Sequence, residues 1–130
     1  MDFEAKIAEL GLLIPKPAKP AGSYKPCVIV DNIAYISGQG PLLEDGSFAK
    51  GKVGADVDLE TAQNHARLCG LAILSALKNE IGSINKVDQL IKLTGFVNCI
   101  ESFTQQPLVI NGCSNTVSYT HLTLPTKRIV

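Results

Sequence analysis

The segment Ser37-Gly38-Gln39-Gly40-Pro41 is the part of the chain that most looks like a ligand-binding loop. Closely spaced glycines let a backbone approach the phosphate groups of a nucleotide. This segment lacks the third glycine of the dinucleotide fingerprint, and Pro41 blocks a helix at the point where that fingerprint requires one. The residues alone therefore predict a generic turn at the end of a strand and no nucleotide site.

Cysteine and histidine side chains could supply nucleophiles or metal ligands. The four cysteines, Cys27, Cys69, Cys99 and Cys113, form no CxxC pair and match no zinc-ligand spacing. We interpret them as reduced, buried thiols that pack as small hydrophobic groups. His65 lies beside the polar flank of a predicted helix, which indicates a solvated or packing residue. The residues therefore predict no metal site.

Composition narrows the class of protein. The 130 residues are enough for one domain, and 12 acidic and 12 basic side chains give a net charge of zero. A neutral chain offers no electrostatic attraction for nucleic acid or for an anionic membrane surface. The sequence has no apolar run long enough to span a bilayer and no recognisable signal peptide. We therefore expect a cytoplasmic protein.

Hydrophobic periodicity divides the chain into helices and strands. Helical spacing predicts three helices, over 3–10, 58–81 and 103–115. β-branched and aromatic runs predict a hairpin and one long strand, over 24–30, 33–37 and 87–100. This β-β-α-β-α order, after a first short helix, predicts an α+β protein in which one face of a sheet carries helices.

The faces of the long helix and the long strand predict how they pack. A stripe of small and apolar residues along the helix should lie on the sheet: Ala62, Ala66, Cys69, Ile73 and Leu77. One strand face is wholly apolar and should meet the helix: Ile91, Leu93, Gly95, Val97 and Cys99. The other face, with Lys92, Thr94 and Phe96, is mixed, so we expect it to form a subunit interface.

Several segments together resemble the RidA/YjgF family in order and spacing, although each alone is weak. They are Gly22-Ser23-Tyr24, Tyr35 to Pro41, Ala66 to Cys69, Gly95 to Asn98, Phe103, and Gln106 to Gly112. The resemblance covers roughly residues 3–115. It implies a chorismate-mutase-like two-layer sandwich, with a mixed β-sheet and two helices packed on one face. It also implies a homotrimer with clefts between the subunits.

The resemblance also implies an activity. Better-studied members hydrolyse reactive enamines and imines, such as 2-aminoacrylate, to 2-keto acids and ammonia, and they use no metal or cofactor. The implied partner is a small imino or enamino acid, and the implied enzyme is a 2-iminobutanoate/2-iminopropanoate-type deaminase. A non-catalytic trimer that binds or senses small molecules is the alternative. RNA cleavage, which the family label "endoribonuclease" suggests, has the least support because the chain is neutral.

Site residues transfer from the family position by position. Tyr24 matches the pocket tyrosine near the N-terminus, while Ser37 and Gly38 match the pocket wall at the end of a strand. Asn111 is the candidate for a pocket asparagine, although extra residues precede it here. The family's carboxylate-binding arginine follows the second of the two sheet-packed helices. Neither Arg67 nor Arg128 matches it, so we expect the catalytic arginine to be missing from this chain.

The last residues do not match the family. From Val117 to Thr126 the chain is rich in β-branched residues and does not continue the helical pattern. These residues are also the translation of a transposase-type sequencing adapter, GTC TCT TAT ACA CAT CTG ACG CTG CCG ACG. We therefore expect residues 1–116 to be a partial family domain, incomplete at its C-terminus, and 117–130 to be a non-native tail. Loss of the final strands should leave this fragment poorly folded or inactive.

Overall fold

The computed structural model describes residues 3–17 and 22–120. Its elements in chain order are α1 (Phe3–Glu9), β1 (Cys27–Val30), β2 (Ile33–Ile36), α2 (Leu59–Ile81), a 3-10 turn (Ile84–Lys86) and α3 (Gln106–Thr120). The two strands form an antiparallel pair, and helices α2 and α3 pack against each other. This is the predicted α+β architecture.

A tight turn sets the register of the hairpin. Asp31 and Asn32 both adopt positive φ, at 48° and 66°, as the sequence predicted for a two-residue connection. The turn pairs Val30 with Ile33 and, at the other end, Cys27 with Ile36. Cys27 is the one buried residue of β1, and Val28, Ile29 and Val30 are all exposed, although Ile29 lies on the same face of the strand as Cys27.

Helix α2 begins and ends where its capping residues predict. The Asp58 side chain accepts a hydrogen bond from the Thr61 amide at 2.8 Å, and Gly82 ends the helix at φ 88°. Three of the five predicted stripe residues are buried, and Cys69 and Ile73 are partly buried. Leu71, Leu74 and Ala76 are buried as well, so the covered surface of this helix is wider than predicted.

Two glycines allow α2 and α3 to approach closely. A Cβ atom on Gly112 would lie 2.1 Å from the main-chain oxygen of Gln63, and one on Gly70 would lie 3.3 Å from Cys113 Sγ. Gly70 also faces Thr116, so that a contact later in α2 is made with a residue later in α3. The two helices therefore run in the same direction, with the start of α3 beside the start of α2.

Two hydrophobic clusters occupy opposite halves of α2. The first includes Phe3 and Ile7 of α1, Cys27 of β1, and Leu74 and Leu77 of α2. The second combines two residues of the segment before α2, two from the beginning of α2 and two of α3: Val53, Val57, Ala62, Ala66, Val109 and Cys113. The hairpin therefore belongs to the C-terminal half of α2.

The prediction of a strand over 87–100 is wrong, because the structure has no strand in this segment. The segment is extended, but within the described residues only Val53 forms main-chain hydrogen bonds with its end, at Asn98 O and Ile100 N. Without a neighbouring strand the rest of the segment has no ladder. The predicted inward face holds from Leu93 to Cys99, whereas Ile91 is 52% exposed.

Helix α3 also differs from its predicted bounds. It begins at Gln106, because residues 101–105 form a turn and irregular chain, and it continues to Thr120. The expectation that the helical pattern stops before Val117 is therefore wrong. Val117 is 1% exposed in the first cluster, so burial beside α2 favours the helix there over the low helical propensity of a β-branched residue.

Candidate functional site

Ser37 closes the open end of the hairpin with two hydrogen bonds. Its amide donates to Pro26 O at 2.9 Å, and its hydroxyl donates to Lys25 O at 2.8 Å. Tyr24 directly precedes Lys25 and is 48% exposed. The structure therefore brings two of the sequence-predicted site residues, Tyr24 and Ser37, to the same end of one hairpin.

Gly38 borders open space at this end of the hairpin. A Cβ atom on Gly38 would meet nothing within 4 Å, and the residue is exposed. The Gln39 side chain turns back and donates to Ser37 O at 3.2 Å. Within the described residues, no group accepts a hydrogen bond from the amides of Gly38 and Gln39. An exposed amide without a protein acceptor can donate a hydrogen bond to a carboxylate or an oxyanion.

The Ser37 hydroxyl has a fixed role in this geometry. Because its proton is used in the bond to Lys25 O, the hydroxyl can only accept further hydrogen bonds. A fixed acceptor beside two free donors can hold a water molecule and an anionic ligand at neighbouring positions. We call Tyr24, Ser37, Gly38 and Gln39 the hairpin-end site.

An ion pair connects the hairpin-end site to the end of α2. Lys25 Nζ lies 3.9 Å from Glu80 Oε1, and the two side chains are 69% and 34% exposed. An exposed pair of this length contributes little to stability. Burial raises the pKa of the Cys27 thiol, and the nearby Glu80 carboxylate adds to the rise while Lys25 opposes it. Cys27 is therefore a thiol rather than a nucleophile at neutral pH.

The structure does not bring Asn111 to the hairpin-end site. Asn111 directly precedes Gly112, which faces Gln63 near the start of α2, whereas Lys25 is beside Glu80 near the end. At 1.5 Å per residue, the two regions lie about 15–25 Å apart along α2. Within one chain, Asn111 therefore cannot contact a ligand bound beside Ser37.

Cys69 and Cys113 are not suited to catalysis as thiolates. Burial raises the pKa of Cys69 to about 11 and that of Cys113 to about 12. Cys99 Sγ accepts a weak hydrogen bond from Gln106 Nε2 at 3.7 Å. All four cysteines are free.

Other polar side chains lie away from the hairpin-end site. His65 and Arg67 are partly buried near the start of α2, while His121 and Arg128 lie outside the described residues. In residues 3–17 and 22–120, no three metal-ligating side chains come together. None of the helices in this part of the chain has both the length and the apolar character required to cross a membrane.

Phe48 is an exposed aromatic residue near the hairpin-end site that sequence reasoning missed. Its ring lies over Gly40, two residues after Gly38, and it is 45% exposed. The sequence signal for this contact was a small residue, Gly40, before the predicted turn 44–47 and an aromatic residue, Phe48, after it. Only closure of that turn into a hairpin brings the two together, which sequence spacing alone does not establish.

Comparison with known proteins gives consistent matches. A family model described as "YjgF/chorismate_mutase-like, putative endoribonuclease" matches residues 4–121. Protein TCP17 of Trypanosoma cruzi is 34% identical over 113 residues, which are 87% of this chain and 71% of that protein.

Two solved structures are similar to the whole described fold. A crystal structure described as a putative endoribonuclease from Shewanella oneidensis has a TM-score of 0.92 at 26% identity, covering 100% of this chain and 86% of the other. A protein of unknown function from Agrobacterium tumefaciens has a TM-score of 0.84 at 37% identity, covering 98% and 78%. These matches extend the similarity beyond the short segments around the hairpin and α3.

Proposed function

Because the chain belongs to the YjgF/chorismate-mutase-like family, we propose that its parent protein hydrolyses reactive enamines and imines to 2-keto acids and ammonia. The substrates are small enamino and imino acids, such as 2-aminoacrylate, which reacts as its imine tautomer 2-iminopropanoate. The observation that supports this proposal best is the hairpin-end site, where two free amides and a fixed hydroxyl acceptor border open space in front of Gly38. No metal ion or cofactor is part of the proposed reaction.

The reaction needs positioning more than strong acid–base groups. Water adds to the imine carbon, the resulting carbinolamine loses ammonia, and a 2-keto acid remains, so that one water is consumed for each ammonia released. The amides of Gly38 and Gln39 bind the substrate carboxylate, and the Ser37 hydroxyl accepts a hydrogen bond from the attacking water. Tyr24 forms the outer wall of the site.

We further propose that the parent assembles as a homotrimer and that each site lies between two subunits. The outer face of the hairpin is apolar and exposed, with Val28, Val30 and Tyr35 at 42%, 50% and 58%. Contiguous apolar surface of this kind marks an interaction site. Asn111 can then complete the hairpin-end site of a neighbouring subunit, which its distance from Ser37 forbids within one chain.

A regulatory or binding trimer of the same fold is the second candidate. It would be favoured if the C-terminal segment of the parent carried no arginine at the family's carboxylate-binding position, which neither Arg67 nor Arg128 matches. Free amides alone hold a carboxylate less tightly than amides assisted by a guanidinium group. Such a protein would bind a 2-keto or imino acid without accelerating its hydrolysis.

The test is keto-acid release from an imine that is generated in the assay. L-Amino acid oxidase converts L-alanine to 2-iminopropanoate, and the proposed activity increases the rate of pyruvate release above that in buffer. The intact parent gene product is the protein to use, with a heat-inactivated sample as control. Unchanged release together with measurable pyruvate binding would support the second candidate, and cleavage of a test RNA would contradict both.

Two related properties need their own measurements. Native mass spectrometry of the intact parent should give a mass about three times that of one subunit, and a monomer would contradict the shared site. We also propose a cytoplasmic location, which fractionation of the source cells would test.

A further inference from the structure

The 41–49 loop is a small hairpin, closed by main-chain hydrogen bonds, that follows the hairpin-end site in the chain. Leu43 N donates to Ser47 O at 2.8 Å, and Ala49 N donates to Pro41 O at 2.9 Å. The Asp45 carboxylate accepts two hydrogen bonds from Ser47, from the amide at 2.9 Å and the hydroxyl at 2.6 Å. This loop therefore has its own main-chain ladder and a capped turn, which fix the side chains at its base.

Phe48 is held at the base of that loop with its ring against Gly40. Leu42 and Phe48 pair across the loop, and a Cβ atom on Gly40 would lie 3.0 Å from Phe48 Cδ1 and 3.2 Å from Cε1. The ring therefore fills the volume that any side chain at position 40 would need. The φ angle of Gly40 is not in the left-handed region, so its backbone does not require glycine.

The absence of a side chain at Gly40 thus serves the packing of the ring. Phe48 nevertheless remains 45% exposed, so the ring has one covered face and one open surface. An aromatic ring that is fixed by its neighbours and exposed beside open space is well suited to contact an apolar ligand group at low cost in conformational entropy.

We propose that Phe48 is a specificity-determining residue, whose exposed ring contacts the apolar side chain of an imino acid bound at Gly38. This inference rests on the proposed function and names the substrate class more narrowly: imines with branched or larger apolar side chains are preferred over 2-iminopropanoate. The substrate carboxylate lies at the amides of Gly38 and Gln39, and the side chain extends toward the 41–49 loop.

The test compares imines that L-amino acid oxidase generates from L-leucine and L-alanine, in the intact parent protein. The measured quantity is the ratio of the two kcat/KM values. Phe48→Ala should lower this ratio on the order of tenfold, because an apolar side chain loses its contact. The change should appear in KM for the leucine-derived imine, since the contact exists both before and during the reaction.

Two further variants sharpen the comparison. Gly40→Ala keeps the ring but displaces it, because the added Cβ atom would otherwise lie 3.0 Å from Cδ1, and it should lower the ratio by a smaller factor. Leu43→Ala is the matched control. Leu43 is 39% exposed in the same loop, but it lies on the opposite face of the loop from Phe48, because Phe48 pairs with Leu42, the residue before it. It should leave the ratio unchanged.

The outcomes separate this inference from the proposed function. If Phe48→Ala leaves the ratio of the two kcat/KM values unchanged and still hydrolyses both imines faster than buffer does, the role of Phe48 is overturned and the deaminase activity is retained. Equal loss of both rates together with loss of the trimer would assign Phe48 to the subunit interface instead. If the unaltered protein accelerates neither reaction, ligand-observed NMR compares its binding of 4-methyl-2-oxopentanoate and of pyruvate. Equal binding of the two keto acids overturns the inference. A preference for the larger keto acid supports it, provided that Phe48→Ala removes this preference.

Discussion

Replacing Gly112 with alanine should destabilise the protein because α2 and α3 touch through their backbones at this residue. The added Cβ atom would lie 2.1 Å from Gln63 O and 2.9 Å from Gln63 C. Ordinary contacts of a Cβ atom begin near 3.4 Å, so the two helices must separate by more than an ångström. Neither contact atom belongs to a side chain, so no change of rotamer relieves the clash.

The expected magnitude follows from two opposing effects. Alanine stabilises a helix interior by about 1 kcal/mol relative to glycine. Overpacking a close contact costs about 1–3 kcal/mol and more when the backbone must move. At Gly112 the clash is severe, so we expect a net loss of about 2 kcal/mol in the free energy of unfolding. The thermal midpoint should then fall by about 6–10 °C.

Gly70→Ala is the matched control for this prediction. It adds the same Cβ atom to the facing helix, but its nearest neighbour is Cys113 Sγ at 3.3 Å, which needs to move by only a few tenths of an ångström. The gain in helix propensity should offset that cost to within about 1 kcal/mol. Urea denaturation of both variants in the intact parent protein gives the comparison. Equal destabilisation by the two substitutions would refute the packing of α2 on α3 described here.

Three further predictions concern the thiols, the serine and the tail. Burial raises the pKa of Cys69 to about 11 and of Cys113 to about 12 from 9.0, so the folded state holds these protons more tightly than the unfolded state. The stability linked to them is complete below pH 9 and is lost as the pH rises toward 12, and a thiol reagent at pH 8 should label both residues much faster in urea than in buffer; equal labelling would contradict their burial. Ser37→Ala removes the hydrogen bond to Lys25 O and should cost about 0.5–1.5 kcal/mol in a chemical denaturation curve, whereas no loss would show that another group holds the hairpin end. We propose that residues 117–130 derive from a sequencing adapter, so genomic DNA at this locus should carry different codons after about codon 116, and identical codons would exclude that origin.

The features that sequence reasoning predicted correctly depend on local chemistry. Asp31 and Asn32 tolerate positive φ, and Asp58 and Gly82 cap α2 through contacts within a few residues. Each of these effects is determined by neighbours along the chain. The bounds of α2 and of the second strand were therefore predicted to within one residue, whereas the first strand begins at Cys27, three residues after its predicted start.

The features that were predicted wrongly depend on distant partners. Segment 87–100 has strand-like residues, but a ladder requires a neighbouring strand, and among the described residues only Val53 supplies one. The continuation of α3 past Val117 depends on burial against α2. The site residues stay a prediction: the hairpin brings Tyr24 and Ser37 together, while Asn111 lies near the other end of α2 because Gly112 docks beside Gln63. Packing of that kind is not encoded in any short segment.

The open space in front of Gly38 provides the most direct test of the substrate site. Gly38→Val places a side chain in that space, where a Cβ atom meets nothing within 4 Å. The measurement is kcat/KM for hydrolysis of 2-iminopropanoate by the intact parent protein and by this variant. We predict a loss on the order of a hundredfold with an unchanged unfolding midpoint, because misplacing the reacting groups by about 1 Å has an effect of this size. A Gly38→Val protein as active as the unaltered one would contradict the account.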